Sequence, residues 1–433
     1  MTTLPRRPGA IPRWLSLAAL VALGGATAAG CATNDEPTTD TDVGSASDDI
    51  TQVNHSKVKR QSIGNCWIYA TSGWLESLNK EATGQEKNTS ESWTTYWHWF
   101  DQITNGQAGS ELQTGGFWLT AINLVLRYGI VMEGDFIAGE ADDEMSNRQA
   151  SALAAVNESL KSGALKDPAA RRDRKLVRKE LDRAWQLDAS NVQKLDTVFG
   201  QGVERTLDRS YAARAPGNGV VRAKDFPVKL KDPQTGQKVD ATLADAIGTG
   251  SSFWGPRQGK LAWNSADYPS DARSRRDFWK RVQRALHDNF PVIIAWKVDF
   301  NALTSDSRFS IDELKRRGPG RQGGHMVLLY DYQAENVPGF GKLAAGQQAT
   351  AEQMKAALAD ETKISFMRIK NSWGGIRPDR WQTVAGLPGY HDLEMTYLDG
   401  PIKECTEVNG TSDPSDCPRE VVPLWDAVLP AGY

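Results

Sequence analysis

With 433 residues the chain is long enough for two or three domain-sized units. Its 51 basic and 54 acidic residues leave a net charge of −3, which excludes the basic excess of a nucleic-acid-binding surface. Residues 1–31 read as an export signal rather than part of a fold. Arg6, Arg7 and Arg13 form a basic region, and residues 14–29 form an apolar stretch too short and too rich in Gly and Ala for a membrane span. Residues 32–58 are rich in Thr, Asp and Ser and read as a disordered tether.

The next stretch is helical. In residues 60–78 the apolar positions Trp67, Ala70, Trp74, Leu75 and Leu78 recur at helical spacing after a Gly64-Asn65 turn. Asn65 is placed to cap this helix, which puts Cys66 in its first turn. A thiol there sits among free N–H groups at the positive end of the helix dipole, so it is nucleophilic by position. The competing reading is a small buried hydrophobe. Residues 91–100, with five aromatics at mixed spacing, read as a buried helix, and His98 among them as a packed core residue. Gly115-Gly116 precedes another helix through Trp118, Ile122, Val125 and Leu126.

Within the long stretch 137–285, residues 141–199 are charged and helical in pattern. Leu176, Val177, Leu181 and Trp185 mark one face, and residues 226–243 read as a hairpin around Asp232-Pro233-Gln234-Thr235-Gly236. A helix through Leu286 then leads into a buried strand from Pro291. Residues 301–322 read as a polar loop, and residues 339–363 as helical and exposed. Two strands follow the same pattern of chemistry-bearing ends. Gly323-Gly324-His325 opens one, and Phe366 to Lys370 runs into Asn371-Ser372-Trp373-Gly374. Cysteine, histidine and asparagine in this order can supply a nucleophile, its base and a group that orients the base.

Together, Gln61-x-x-Gly64-x-Cys66-Trp67, Gly-Gly-His325 and Asn371-Ser-Trp373-Gly resemble the papain family of cysteine peptidases. The segments Thr89–Phe100, Gly115–Trp118 and Tyr128–Val131 narrow the likeness to the bleomycin-hydrolase-like branch. The resemblance covers residues 59–136 and about 278–400. It implies an α+β, two-lobed fold, with the nucleophile helix in a helical lobe and His325 and Asn371 in an antiparallel β lobe. Residues 59–433 would be one peptidase domain interrupted by an insertion at 137–285. The implied activity is peptide-bond hydrolysis through a thioacyl-enzyme, with Cys66 as nucleophile, His325 as base and then acid, and Asn371 holding the ring. Trp373 would cover that bond, Gln61 and the Cys66 N–H would form the oxyanion hole, and Gly115-Gly116 would pair with substrate main chain. No metal or cofactor is required, and the partner is a peptide or protein substrate. The family separates the glutamine from the cysteine by five residues and this chain by four. A catalytically weak peptide-binding protein, and an acyltransferase or amidase with the same triad, remain as alternatives.

The exit of the signal, Ala28-Ala29-Gly30-Cys31, resembles a bacterial lipobox and implies lipidation at Cys31 and a membrane anchor in the cell envelope. Ala26-Thr27-Ala28 also fits ordinary cleavage, which would give a freely secreted protein as the alternative. Export allows Cys405 and Cys417, which flank a polar loop, to pair. The remaining histidines, His55, His98, His287 and His391, show no comparable setting in sequence. Placing Cys66 at a helix start facing His325 leads to one electrostatic expectation: a lowered Cys66 pKa and a raised His325 pKa.

Overall fold

The computed structural model describes residues 51, 53–54, 56–207, 219–250, 252, 255–375, 383–384, 386–405 and 417–433. Cys31 and the whole export segment lie outside these residues, as does His55. The chain opens with helices α1 (Cys66–Thr83), α2 (Glu91–Thr104) and α3 (Trp118–Tyr128). The helices α4 (Asn147–Lys161), α5 (Arg174–Ala184) and α6 (Ala189–Phe199) follow. A hairpin of β1 (Pro227–Lys231) and β2 (Lys238–Thr242) comes next, as its turn residues lead one to expect, then α7 (Leu243–Ile247) and the short pair β3 (Thr249–Gly250) and β4 (Arg257–Gln258). The second half holds β5 (Asn264–Asp267), α8 (Ala272–His287), β6 (Val292–Asp299), β7 (Arg308–Phe309), α9 (Ile311–Arg317), β8 (Gln322–Val337) and β9 (Gly341–Leu343). It continues with α10 (Ala351–Ala356), β10 (Lys363–Lys370), β11 (Thr383–Val384), β12 (Leu387–Pro388) and β13 (Tyr390–Glu394). It closes with α11 (Met395–Asp399), β14 (Ile402–Glu404), β15 (Arg419–Val421) and β16 (Leu424–Leu429).

Eight strands build one sheet in the order β5-β16-β6-β8-β10-β13-β7, with β9 paired to β8 off that path. Every pairing in it is antiparallel except β13 with β7. The first half is mainly helical, and the eight-stranded sheet lies wholly in the second half together with α8 to α11, a mainly antiparallel α+β arrangement.

Helix α1 joins the halves. It is buried all round rather than along one stripe, because it lies between the sheet and the other helices. Gly73 is the point of closest approach to β8: a Cβ there would sit 2.6 Å from Cδ1 of Leu328. Its opposite side carries Trp74, edge-on to Trp118 at 5.8 Å and to Trp263 at 5.4 Å. The helix stops at Gly84, whose φ of +68° returns its N–H to the Lys80 carbonyl. Helix α2 starts at Ser90, whose hydroxyl accepts the Trp93 N–H. Its aromatics are buried as expected, and the cluster is closed from residues 128–199: Trp97 stacks on Tyr128 at 4.2 Å, and Trp185 and Phe199 pack on Trp99 and Trp97. Burying side chains of this size stabilises by about 1.5–3 kcal/mol each, so the helices after residue 136 are welded to the first lobe.

Three expectations are corrected. Thr51 and Val53 are buried, and the Thr51 hydroxyl donates to the Tyr330 carbonyl, so the described end of the expected tether is docked on the sheet. Residues 301–322 are not a plain loop: β7 and α9 fold there, and Leu314 is buried. Residues 339–363 contain strand β9 and only the six-residue α10. The C-terminal strand β16 is an inner strand between β5 and β6. It carries Tyr433 to the Asp288 carboxylate and the Phe290 ring.

Candidate active site

The geometry starts from three places the fold brings together. Cys66 opens α1, His325 lies on β8 opposite Trp296 of β6, and Asn371 follows the last residue of β10. The Cys66 thiol lies against the backbone N–H of Met326, the residue after His325. Nε2 of His325 is 2.7 Å from Oδ1 of Asn371. That oxygen also accepts the Ser372 N–H at 2.7 Å, which fixes it as the acceptor and puts the ring proton on Nε2. Nδ1 of His325 is then the basic nitrogen. Trp373 stacks on the His325 ring at 4.6 Å and 21°, shielding the bond from water.

The sequence missed one member of this set. His391 on β13 is fully buried, and its Nδ1 is 3.4 Å from Nδ2 of Asn371. It packs edge-on against Trp373 at 5.5 Å. No local motif announces it; only the β10–β13 pairing, with His391 opposite Ile369, brings it beside Asn371.

The loop before Cys66 departs from expectation twice. Asn65 makes no capping bond to α1. Its amide instead donates to Oγ1 of Thr95 at 3.0 Å and to Oε1 of Gln149 at 2.8 Å. Gln61 is held at both ends: its Oε1 accepts the Ser372 hydroxyl at 2.6 Å, and its Nε2 donates to the Ile63 carbonyl at 2.8 Å. One amide hydrogen is thus tied back on the loop itself, leaving the second Nε2 hydrogen for any other acceptor.

Gly115 and Gly116 differ in what they do. A Cβ on Gly116 would lie 2.5 Å from the Trp67 indole, so Gly116 is required for Trp67 to pack beside Cys66. Gly115 faces open space, and the following Phe117 is exposed. The Trp67 Nε1 donates to the Thr114 carbonyl at 2.9 Å, drawing this segment alongside the nucleophile turn.

The electrostatics correct the expected ion pair. Burial pushes the Cys66 thiol up to about 11, against the opposing pull of the Met326, Trp67 and Cys66 N–H groups. Burial takes His325 down to about 4, with the Asn371 bond acting the other way. Cys66 is not among the groups that shift His325. The resting pair is therefore neutral, because desolvation disfavours charge on both partners more than the helix start favours the thiolate.

Cys405 and Cys417 form a disulfide, and Gln322 at the start of β8 accepts the Cys405 N–H at 3.1 Å. The loop between the cysteines lies outside the described residues. Among the described residues no group of three or more His, Cys, Asp or Glu is arranged to hold a metal ion, and no helix is long and apolar enough to cross a membrane.

No family model matches the chain. No curated protein matches it either. Among solved structures it is similar to PepW from Lactobacillus rhamnosis, at 12% identity over 88% of this chain and 81% of that one, with a TM-score of 0.39. It is also similar to xylellain, a cysteine protease from Xylella fastidiosa, at 12% identity over 88% of this chain and 84% of that one, with a TM-score of 0.32. A structure concerning the mite allergens Blo t 1 and Der p 1 matches at 11% identity over 87% of this chain and 67% of that one, with a TM-score of 0.30.

Proposed function

We propose that the chain is a papain-like cysteine peptidase of the bleomycin-hydrolase-like kind, exported and held at the bacterial cell envelope by a lipid on Cys31. The observation that carries the catalytic reading is the His325 ring, bonded through Nε2 to Asn371 under Trp373 while Cys66 lies against the next residue of the same strand.

In this reading the Cys66 sulfur attacks the scissile carbonyl as its proton passes to Nδ1 of His325. The neutral resting pair makes that transfer part of the attack. The carbonyl oxygen becomes an oxyanion facing the Cys66 N–H and the free hydrogen of Gln61 Nε2. Collapse breaks the C–N bond, and His325 returns the proton to the departing amine. Water, deprotonated by the same nitrogen, then hydrolyses the thioester. Gly115 leaves room for substrate main chain along the nucleophile turn.

A second reading, peptide binding with weak turnover, draws on one observation: Gln61 spends an amide hydrogen on Ile63. Digestion of a mixed peptide pool separates the two. The wild type should generate new termini, Cys66→Ala none, and Asn371→Ala fewer. An equal profile from Cys66→Ala removes the catalytic reading. The disulfide is in keeping with export. The anchor itself is tested by membrane partition of native protein, which Cys31→Ser should abolish; a soluble mature chain beginning at Ala29 sinks it.

A further inference from the structure

The segment 144–149, inside the stretch that separates the two halves of the site in sequence, runs alongside the loop that delivers Cys66. It grips that loop at three points. The Arg60 N–H donates to the Glu144 carbonyl at 2.7 Å. The Ser62 hydroxyl donates to the Ser146 carbonyl at 2.8 Å. The Asn65 amide donates to Oε1 of Gln149 at 2.8 Å, one residue before the nucleophile. Lys59 fixes the start of the same loop, paired with Glu91 at 2.7 Å and Glu133 at 2.6 Å.

Gln149 is the end point of this clamp. It is completely buried in the first turn of α4, and all its polar contacts are with residues around the nucleophile turn. Its Nε2 donates to the Ser92 hydroxyl at 3.1 Å and to the Tyr69 oxygen at 3.4 Å, the first on α2 and the second on α1. One side chain thus ties together the loop, the nucleophile helix and its neighbour. Asn65, freed from capping duty, is the group it holds. A buried amide with donor and acceptor both satisfied has one orientation, so Gln149 defines where Asn65 can sit.

We propose that Gln149 is a positioning residue for Cys66, and that segment 144–149 of the insertion sets the geometry of the nucleophile loop. The long insertion is then part of the catalytic apparatus rather than an appendage. It supplies from outside the constraint that a loop shortened by one residue does not supply itself. The proposal rests on the Cys66 reading for its kinetic arm only.

The test uses Gln149→Met, which keeps the shape and removes all three side-chain bonds. Val156→Ala, on the same helix and buried, is the control for general loosening of α4. The first readout is the pH midpoint of Cys66 alkylation by iodoacetamide, which needs no substrate. Gln149→Met should move that midpoint by about one pH unit or more toward a free thiol, as the loop opens to water. Where peptide turnover is measurable, kcat should fall by about tenfold or more with KM little changed, the signature of misplacement rather than lost binding. Val156→Ala should lower thermal stability and move neither. If Gln149→Met does not fold, Ser62→Ala is read the same way, with a shift of about half a unit expected. A smaller shift, or an equal one in Val156→Ala, overturns the proposal. Failure of the peptidase reading leaves the alkylation arm intact, so the two failures are told apart.

Discussion

Acidification should unfold this protein partly through a histidine that takes no part in chemistry. His98 sits on α2, edge-on to Trp67 at 4.8 Å, with the Gln102 amide 3.1 Å from one ring nitrogen. Burial takes its pKa from 6.5 to about 4. The folded state therefore prefers the neutral ring, and between pH 6.5 and 4 the unfolded chain binds the extra proton. Stability from His98 is fully present above 6.5 and is lost as pH falls toward 4. At about 1.4 kcal/mol per unit, the loss comes to about 3 kcal/mol by pH 4. Other groups titrate in the same window. Burial lowers His287 to about 4 as well, whereas it raises Glu140 to about 7, which stabilises as pH falls. A difference measurement removes them. Urea unfolding of wild type and His98→Gln across pH 4–7 should give a stability difference that shifts by about 3 kcal/mol in favour of the variant at the acid end. Parallel curves would mean that the ring is solvated or paired with a charge, and the burial argument would fall.

The other predictions follow from single contacts. Gly116→Ala places a methyl within 2.5 Å of the Trp67 ring and should cost about 1–3 kcal/mol in thermal unfolding, whereas Gly115→Ala should stay within about 0.5 kcal/mol; equal losses would refute the close approach. Cys405→Ser should lower stability by about 3 kcal/mol, read by urea unfolding, through the lost constraint on the unfolded chain; an unchanged midpoint would contradict it. Iodoacetamide labelling of Cys66 in the resting protein should rise only above the range of a free thiol, since burial raises its pKa to about 11. Fast labelling at pH 6 would show that the ion pair forms after all.

What could be read from the sequence divides by range. Cys66, His325 and Asn371 were legible because each sits in a short motif at the end of a helix or strand. The fold class followed from the resemblance those motifs carry, and the β1–β2 hairpin from its turn residues. Long-range partners were not legible. Asn65 looks like a cap within its own turn, but Gln149, 84 residues away, and Thr95 offer buried bonds that a capping geometry does not. His391 reaches Asn371 only through strand pairing. The expected ion pair assumed that the helix start decides the charge of Cys66. Burial decides it instead, and burial is set by the packing of both halves at once. Helix α9 was hidden because its seven residues are mostly charged and only Leu314 is buried.

The central claim is that Cys66 carries the acyl group during turnover. The direct measurement is acid-quench mass spectrometry of the wild type mixed with a cleaved peptide, followed by mapping of the peptide that contains Cys66. The account predicts a transient adduct on Cys66 equal in mass to the acyl portion of the substrate, labile to hydroxylamine, prolonged in Asn371→Ala and absent in Cys66→Ala. Cleavage that proceeds with no adduct at Cys66, and continues in Cys66→Ala, would contradict it.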